Sequence, residues 1–172
     1  MKTQHLPSAI AAVSAIALSL CASASWAKTE VQFTKSEDFV DIGNRISIRD
    51  GEDTLKRVTA ALTERADAVL APGQDMKIEV KDIDLAGDPR PLGGRMDMIR
   101  VIKPLYRPAM KFSYTVTQDG KTVREGTAEL QDMGFMDHFN RYFRDDPLYY
   151  EKPMLDKWFE EQFGKPVKVS RR

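Results

Sequence analysis

The feature that most constrains this chain is a pair of alternating runs that meet at Asp119-Gly120. Before the dipeptide, Met110, Phe112, Tyr114 and Val116 alternate with Lys111, Ser113, Thr115 and Thr117, so one face meets a core and the other meets water. Asp-Gly between two such runs marks a hairpin, because a tight two-residue turn needs positive φ at both central positions. That loop sets Val116 opposite Val123. Unbroken pairing would then place Glu125 opposite Tyr114 and Glu129 opposite Met110, both on the buried face. A one-residue bulge near Gly126 repairs the register and brings Ala128 opposite Phe112 and Leu130 opposite Met110.

A second strand runs from Lys77 to Gly87, with Met76, Ile78 and Val80 on one phase and Lys77, Glu79 and Lys81 on the other. At Asp82 the alternation fails, which predicts a bend or a sheet edge there. Upstream, Val31 to Phe33 and Phe39 to Ile42 read as an opening strand with a break. Asp50, with Glu52 and Asp53 behind it, marks a helix start, since acids favour the positive end of the helix dipole. Leu55, Val58, Leu62, Ala66 and Val69 form its apolar stripe, and Pro72-Gly73 ends it. Ala86 to Gly94, rich in proline and glycine, predicts a loop. Met96 to Lys103, apolar on both phases, predicts a strand interior to a sheet. Further on, Phe135, Met136, Phe139, Tyr142 and Phe143 predict a short amphipathic helix, and Pro147 a helix start. Leu155, Trp158, Phe159 and Phe163 predict a last helix that Pro153 begins or kinks and Gly164 closes. The expected class is α+β: a mainly antiparallel sheet of four to five strands with helices packed on one face, preceded by a signal peptide.

The first 27 residues carry the address. Lys2 precedes an apolar, small-residue run from Ala9 to Ala22, followed by two signal-peptidase patterns ending at Ala24 and Ala27, so residues 1–27 read as a secretory leader. The run is shorter than the roughly 20 strongly apolar residues that a membrane span needs. Leu20 before Cys21 argues against lipidation, which wants a small residue there. Cleavage after Ala27 leaves 145 residues without cysteine, read as one α+β domain over 28–164 and a basic tail over 165–172. A chain of that length buries a core without disulfides. The expected address is the periplasm.

Charge is balanced overall but uneven locally. Residues 28–88 carry nine basic and fourteen acidic groups, whereas residues 89–111 carry six basic groups against Asp97 alone. The basic stretch answers acidic neighbours or meets an anionic envelope component, and an envelope protein is the other partner considered. Nothing calls for nucleic acid or a cofactor, and no later segment predicts a membrane span.

Candidate chemistry is sparse. Asp82, Asp84 and Asp88 are hard oxygen donors in a short span, and Asp132 joins them if the strands end together; a metal-dependent hydrolase built on these carboxylates is the alternative to a non-enzymatic binding protein. Capping of turns or acceptance of backbone hydrogen bonds near the strand end is the better reading of such aspartates. Met133, Met136 and His138, or Met96 and Met98, resemble soft copper donors, but methionine at helical spacing reads as core. His138 is the one histidine after processing, which excludes a multi-histidine zinc site. With no Gly-x-Ser-x-Gly elbow, a serine triad has no motif. Tyr149, Tyr150, Trp158 and Phe159 offer aromatic surface, with core the better reading.

Several segments taken together carry a resemblance: Asp-Ile-Asp-Leu-Ala-Gly at 82–87, Ile99-Arg100-Val101, Leu130-Gln131-Asp132, and Tyr150-Glu151-Lys152 ahead of Leu155 and Trp158-Phe159. The chain resembles the domain of unknown function 3016 family of exported proteobacterial proteins from about Val31 to Phe163. The resemblance implies a Gram-negative periplasmic address and one small domain, and transfers no reaction or ligand. Asp82, Asp84, Asp88, Arg90, Arg100, Asp132 and Glu151 are ligand-binding candidates by their chemistry alone.

Overall fold

The computed structural model describes residues 28–39, 41–42, 48–91 and 98–164. The leader, the beginning of the strand expected from Met96, and the basic tail lie outside the described residues. The chain enters as strand β1 (Thr29–Phe33), crosses through helix α1 (Ile48–Val69) and returns as β2 (Gln74–Asp84) parallel to β1. Next come the short strands β3 (Asp88–Pro91) and β4 (Met98–Val101), the long hairpin β5 (Ala109–Gln118) and β6 (Lys121–Gln131), and helix α2 (Glu151–Phe163). The main sheet has the order β1-β2-β5-β6 and is antiparallel except at β1; β3 and β4 form a separate two-stranded ribbon.

Alternation decides which way the sheet faces. Met76, Ile78 and Val80 of β2 and Met110, Phe112, Tyr114 and Val116 of β5 are buried in one cluster with Val58, Leu62, Ala66 and Val69 of α1 and Leu155, Trp158 and Phe159 of α2. Trp158 stands edge-on to Phe112 and Tyr114, with ring centroids 4.8 and 5.2 Å away. The register of β2 slips between Val80 and Asp82, as the broken alternation predicts. Beyond the slip Ile83 pairs with Met110 on the core face, while Asp82 and Asp84 pair with Lys111 and Ala109 on the other.

The hairpin turn is where the sequence places it, with Asp119 at φ 51° and Gly120 at φ 73°. The bulge is not. Pairing runs unbroken through Gly126, and the extra residue is Val123, three residues beyond Gly120, so that Val116 pairs with Arg124. The distal register is nevertheless the expected one, Phe112 with Ala128 and Met110 with Leu130. Early placement swings Arg124 toward α2, where its guanidinium lies 4.8 Å from the centroid of the Phe163 ring. Gly126 is a glycine for another reason: a Cβ there would stand 3.1 Å from the ring of Tyr114, which covers it.

Four further expectations are corrected. The first piece of the opening strand forms as β1 and the break follows it, with Lys35 left-handed at φ 53° and a 3-10 turn over Ser36–Asp38, but the second piece is no strand: Phe39 and Ile42 are buried from a bend and a turn. Helix α1 begins at Ile48, two residues ahead of the start marked by Asp50. The proline-rich loop after Ala86 is partly strand, and its partner β4 is not interior to a sheet. Pro89 and Pro91 remove two of the four amide donors of β3, so the ribbon has little left to extend its ladder.

The fourth correction matters most for function. No helix forms over Phe135 to Phe143, and Pro147 begins none; residues 132–150 are an irregular excursion. Three side chains take backbone hydrogen bonds that a helix would need: Gly134 N–H donates to Asp132 Oδ1 at 3.0 Å, Tyr142 N–H to Asn140 Oδ1 at 3.0 Å, and Leu148 N–H to Asp146 Oδ1 at 2.9 Å. Such Asx turns compete directly with helix. In consequence Phe139 and Phe143 are 94% and 68% exposed rather than core.

Candidate functional site

The excursion closes over the end of β2 and leaves a cleft of about 480 Å³. Leu85 and Ala86 are buried at its floor, Arg100 and Ile102 form one wall, and Tyr149 and Tyr150 belong to the other. Glu151, first residue of α2, closes the bottom at 3% exposure. Asn140 Nδ2 donates to the Tyr149 carbonyl at 2.6 Å and ties the excursion across its width. The Tyr150 ring meets those of Phe135 and Tyr149 edge-on.

Two carboxylates hold the backbone that turns away from β2. Leu85 N–H donates to Asp41 Oδ2 at 2.6 Å, and Ala86 N–H to Glu151 Oε1 at 2.8 Å. Arg100 Nη1 bridges Asp41 Oδ2 at 2.9 Å and the Gly87 carbonyl at 3.1 Å. Gly87 is required by both backbone and space. Its φ is +91°, and a Cβ would lie 2.6 Å from Ile102 Cδ1, 2.9 Å from Arg100 Cγ and 3.0 Å from the Val101 carbonyl.

Burial pushes the Glu151 carboxyl up to about 7, and the Asp41 carboxylate adds to the shift, while the Ala86 amide and the Arg100 charge oppose it. A group poised there exchanges a proton readily at neutral pH. The folded value exceeds the ordinary 4.5, so Glu151's contribution to stability is complete below that pH and is lost as pH rises through about 7. Wild type is expected to lose on the order of 2 kcal/mol across this interval relative to Glu151→Gln, whose amide oxygen still accepts from Ala86. Urea unfolding of both proteins over a pH series checks this, and parallel stability profiles would refute it.

A second buried cluster lies further along α2. Asp156 is 4% exposed and Arg65 of α1 is fully buried. Arg65 Nε lies 2.8 Å from Asp156 Oδ1 but off the hydrogen-bonding direction, so that contact is ionic. Tyr142 O–H donates to Asp156 Oδ2 at 2.8 Å and accepts from Arg65 Nη2 at 2.6 Å. Arg141 Nη2 reaches Asp156 Oδ2 at 2.5 Å. Desolvation raises the Tyr142 pKa far above the ordinary phenol range, so it stays a neutral donor. Its side chains do not line the first cleft; through Arg141 and Tyr142 the cluster pins the excursion that walls that cleft.

Of the seven residues singled out from sequence, Arg100 and Glu151 line the cleft together. Asp132 reaches it only through His138, whose Nδ1 lies 3.4 Å from Asp132 Oδ2. Asp82 Oδ1 accepts from the adjacent Ile83 N–H at 2.9 Å, Asp84 sits on the outer face of the sheet, and Asp88 pairs with Arg90 at 2.9 Å on the ribbon. Among the described residues no three histidine, cysteine or acidic side chains are grouped to hold a metal ion. Asp41, Arg65, Arg144 and Asp156 escaped the sequence reading. Only Arg65 left a signal, three residues after Leu62 and four before Val69, on the apolar stripe of α1.

Among the described residues, fold and cleft together define a small α+β protein with a four-stranded mixed sheet, a two-stranded ribbon, two helices and a polar cleft floored by a buried carboxyl. The chain belongs to the family of proteins of unknown function DUF3016, whose match spans residues 27–161. No curated protein matches the chain. Three of the four segments that carry the resemblance meet at the cleft: Ala86 and Gly87 end the first, Arg100 is the centre of the second, and Glu151 that of the last, while Leu130-Gln131-Asp132 lies outside its lining.

Proposed function

We propose that this protein is an exported binding protein of the periplasm, which works by holding a small organic ligand in the cleft rather than by catalysis. The observation that carries the proposal is the cleft itself: about 480 Å³, aromatic on one wall, with Arg100 and a buried Glu151 facing the space. Concave sites of this size, with fixed polar groups set beside aromatic and aliphatic side chains, are where small molecules bind. The leader pattern supports export, and no described helix is long and apolar enough to cross a membrane.

Two measurements test the reading. The full-length chain, expressed in a Gram-negative host, is expected in the periplasmic fraction with Lys28 at its amino terminus; retention in the cytosol with the leader attached would refute export. The chain starting at Lys28, titrated with small organic acids, alcohols and amines, is expected to show amide shifts at Ala86 and Glu151 with at least one class. Absence of any such shift would refute the binding reading.

A further inference from the structure

We propose that the ligand is an organic anion, its charge held between Arg100 and Arg144 and its apolar or ring-bearing body against the aromatic wall formed by Tyr149 and Tyr150, and that its binding takes up a proton at Glu151. This rests on the binding function proposed above and names the chemistry of its ligand.

The charges around the cleft decide its sign. Three cationic or protonatable bases line it, Arg100, Arg144 and His138, and two acids, Asp146 and Glu151. Asp146 is already held by the Lys152 ammonium. His138 is engaged by Asp132. Arg144 is exposed at the rim and has no acidic partner among the described residues. Arg100 spends only Nη1 on Asp41 and the Gly87 carbonyl, and its side chain is 26% exposed, so the rest of the guanidinium fork is available to a ligand. A cationic ligand would have to settle beside two guanidinium groups; an anion is welcomed by both.

Glu151 makes the preference conditional on pH. The groups around it are Asp41 ahead of α1, Arg100 on β4, Lys152 beside it on α2, and His138, Arg144, Asp146, Tyr149 and Tyr150 on the excursion. An anion entering this set repels the Glu151 carboxylate and favours its protonated form. Because that carboxyl is buried and held near 7, the added charge moves it upward, and above about pH 7 up to one proton is bound with the ligand. Anion affinity therefore falls as pH rises above about 7, by at most about tenfold per pH unit for a single proton.

Matched probes of one size test this: 3-phenylpropionate, 3-phenylpropanol and phenethylamine, titrated by NMR into the chain starting at Lys28. The carboxylate is expected to bind at least about tenfold tighter than the amine. Arg144→Gln, a change at an exposed residue that does not threaten folding, is expected to weaken the carboxylate by about three- to tenfold. Glu151→Gln is expected to flatten the pH profile of carboxylate binding above 7, whatever it does to the affinity at pH 6. Stronger shifts at Ala86 and Glu151 with the amine or the alcohol would overturn the anion inference and leave the binding function standing. Carboxylate binding indifferent to Arg144→Gln, or a pH profile unchanged by Glu151→Gln, would also overturn it. Silence from all three probes would overturn both proposals.

Discussion

Asp156→Ala is expected to lower the unfolding free energy by about 3–5 kcal/mol, the range for breaking one side of a buried ion pair. The loss comes from what stays behind: Arg65 has no exposed surface and is surrounded by the apolar stripe of α1. With the carboxylate gone, its guanidinium keeps the Ala61 carbonyl at 2.8 Å and the Tyr142 hydroxyl at 2.6 Å, and no counter-charge of comparable depth. Arg141 also loses its buried partner, and the excursion is released from α2 at that point. Urea unfolding measures the loss, and amide exchange at residues 140–144 reports the release. The double variant Arg65→Met with Asp156→Leu is expected to recover most of the stability, because well-packed apolar residues replace a buried pair without leaving a charge. A loss below about 1 kcal/mol for Asp156→Ala would show that the cluster is not the clamp described here.

Gly87→Ala is expected to destabilise the protein by about 2–4 kcal/mol and to abolish ligand binding in the cleft. Two separate effects act there. A residue with a Cβ is strained at φ +91°, and that Cβ falls within 3.0 Å of Ile102, Arg100 and the Val101 carbonyl. The last of these is backbone of β4 and cannot simply rotate aside. Gly73 and Gly120 separate the two effects, since both have positive φ but open space around them. Alanine at either should cost only the backbone component, about 1–2 kcal/mol. If Gly87→Ala behaved like those two controls and left the Arg100 contacts intact, the close packing of β4 against the end of β2 would not be what positions the cleft.

Legibility followed the range of the interactions. The hairpin, the break in β2 and the amphipathic stripes of both helices depend on neighbours within a few residues, and each could be read from spacing. The bulge shows where this ends. Parity demands one extra residue in β6, but its position depends on Arg124 reaching Phe163 of α2 and on Tyr114 covering Gly126, contacts across the fold. The excursion over 132–150 misled for a related reason: its apolar spacing fits a helix, whereas Asp132, Asn140 and Asp146 divert the backbone into turns that tertiary contacts then hold.

The site divides along the same line. Arg100 and Glu151 were candidates by residue type, but nothing in their surroundings in the sequence tells which of the seven candidates meet; they stand 51 positions apart. The amino-acid sequence by itself determined the α+β class, the hairpin and its turn, and the inward faces of strands and helices, because local geometry and side-chain period suffice for these; the family was legible from the segments that resemble it. Only the tertiary structure decided where the bulge falls, that 132–150 is a wall instead of a helix, and that Asp41, Arg100 and Glu151 share one buried corner. Those outcomes turn on which distant charges are removed from water together, and desolvation depends on the assembled fold rather than on the order of residues along the chain.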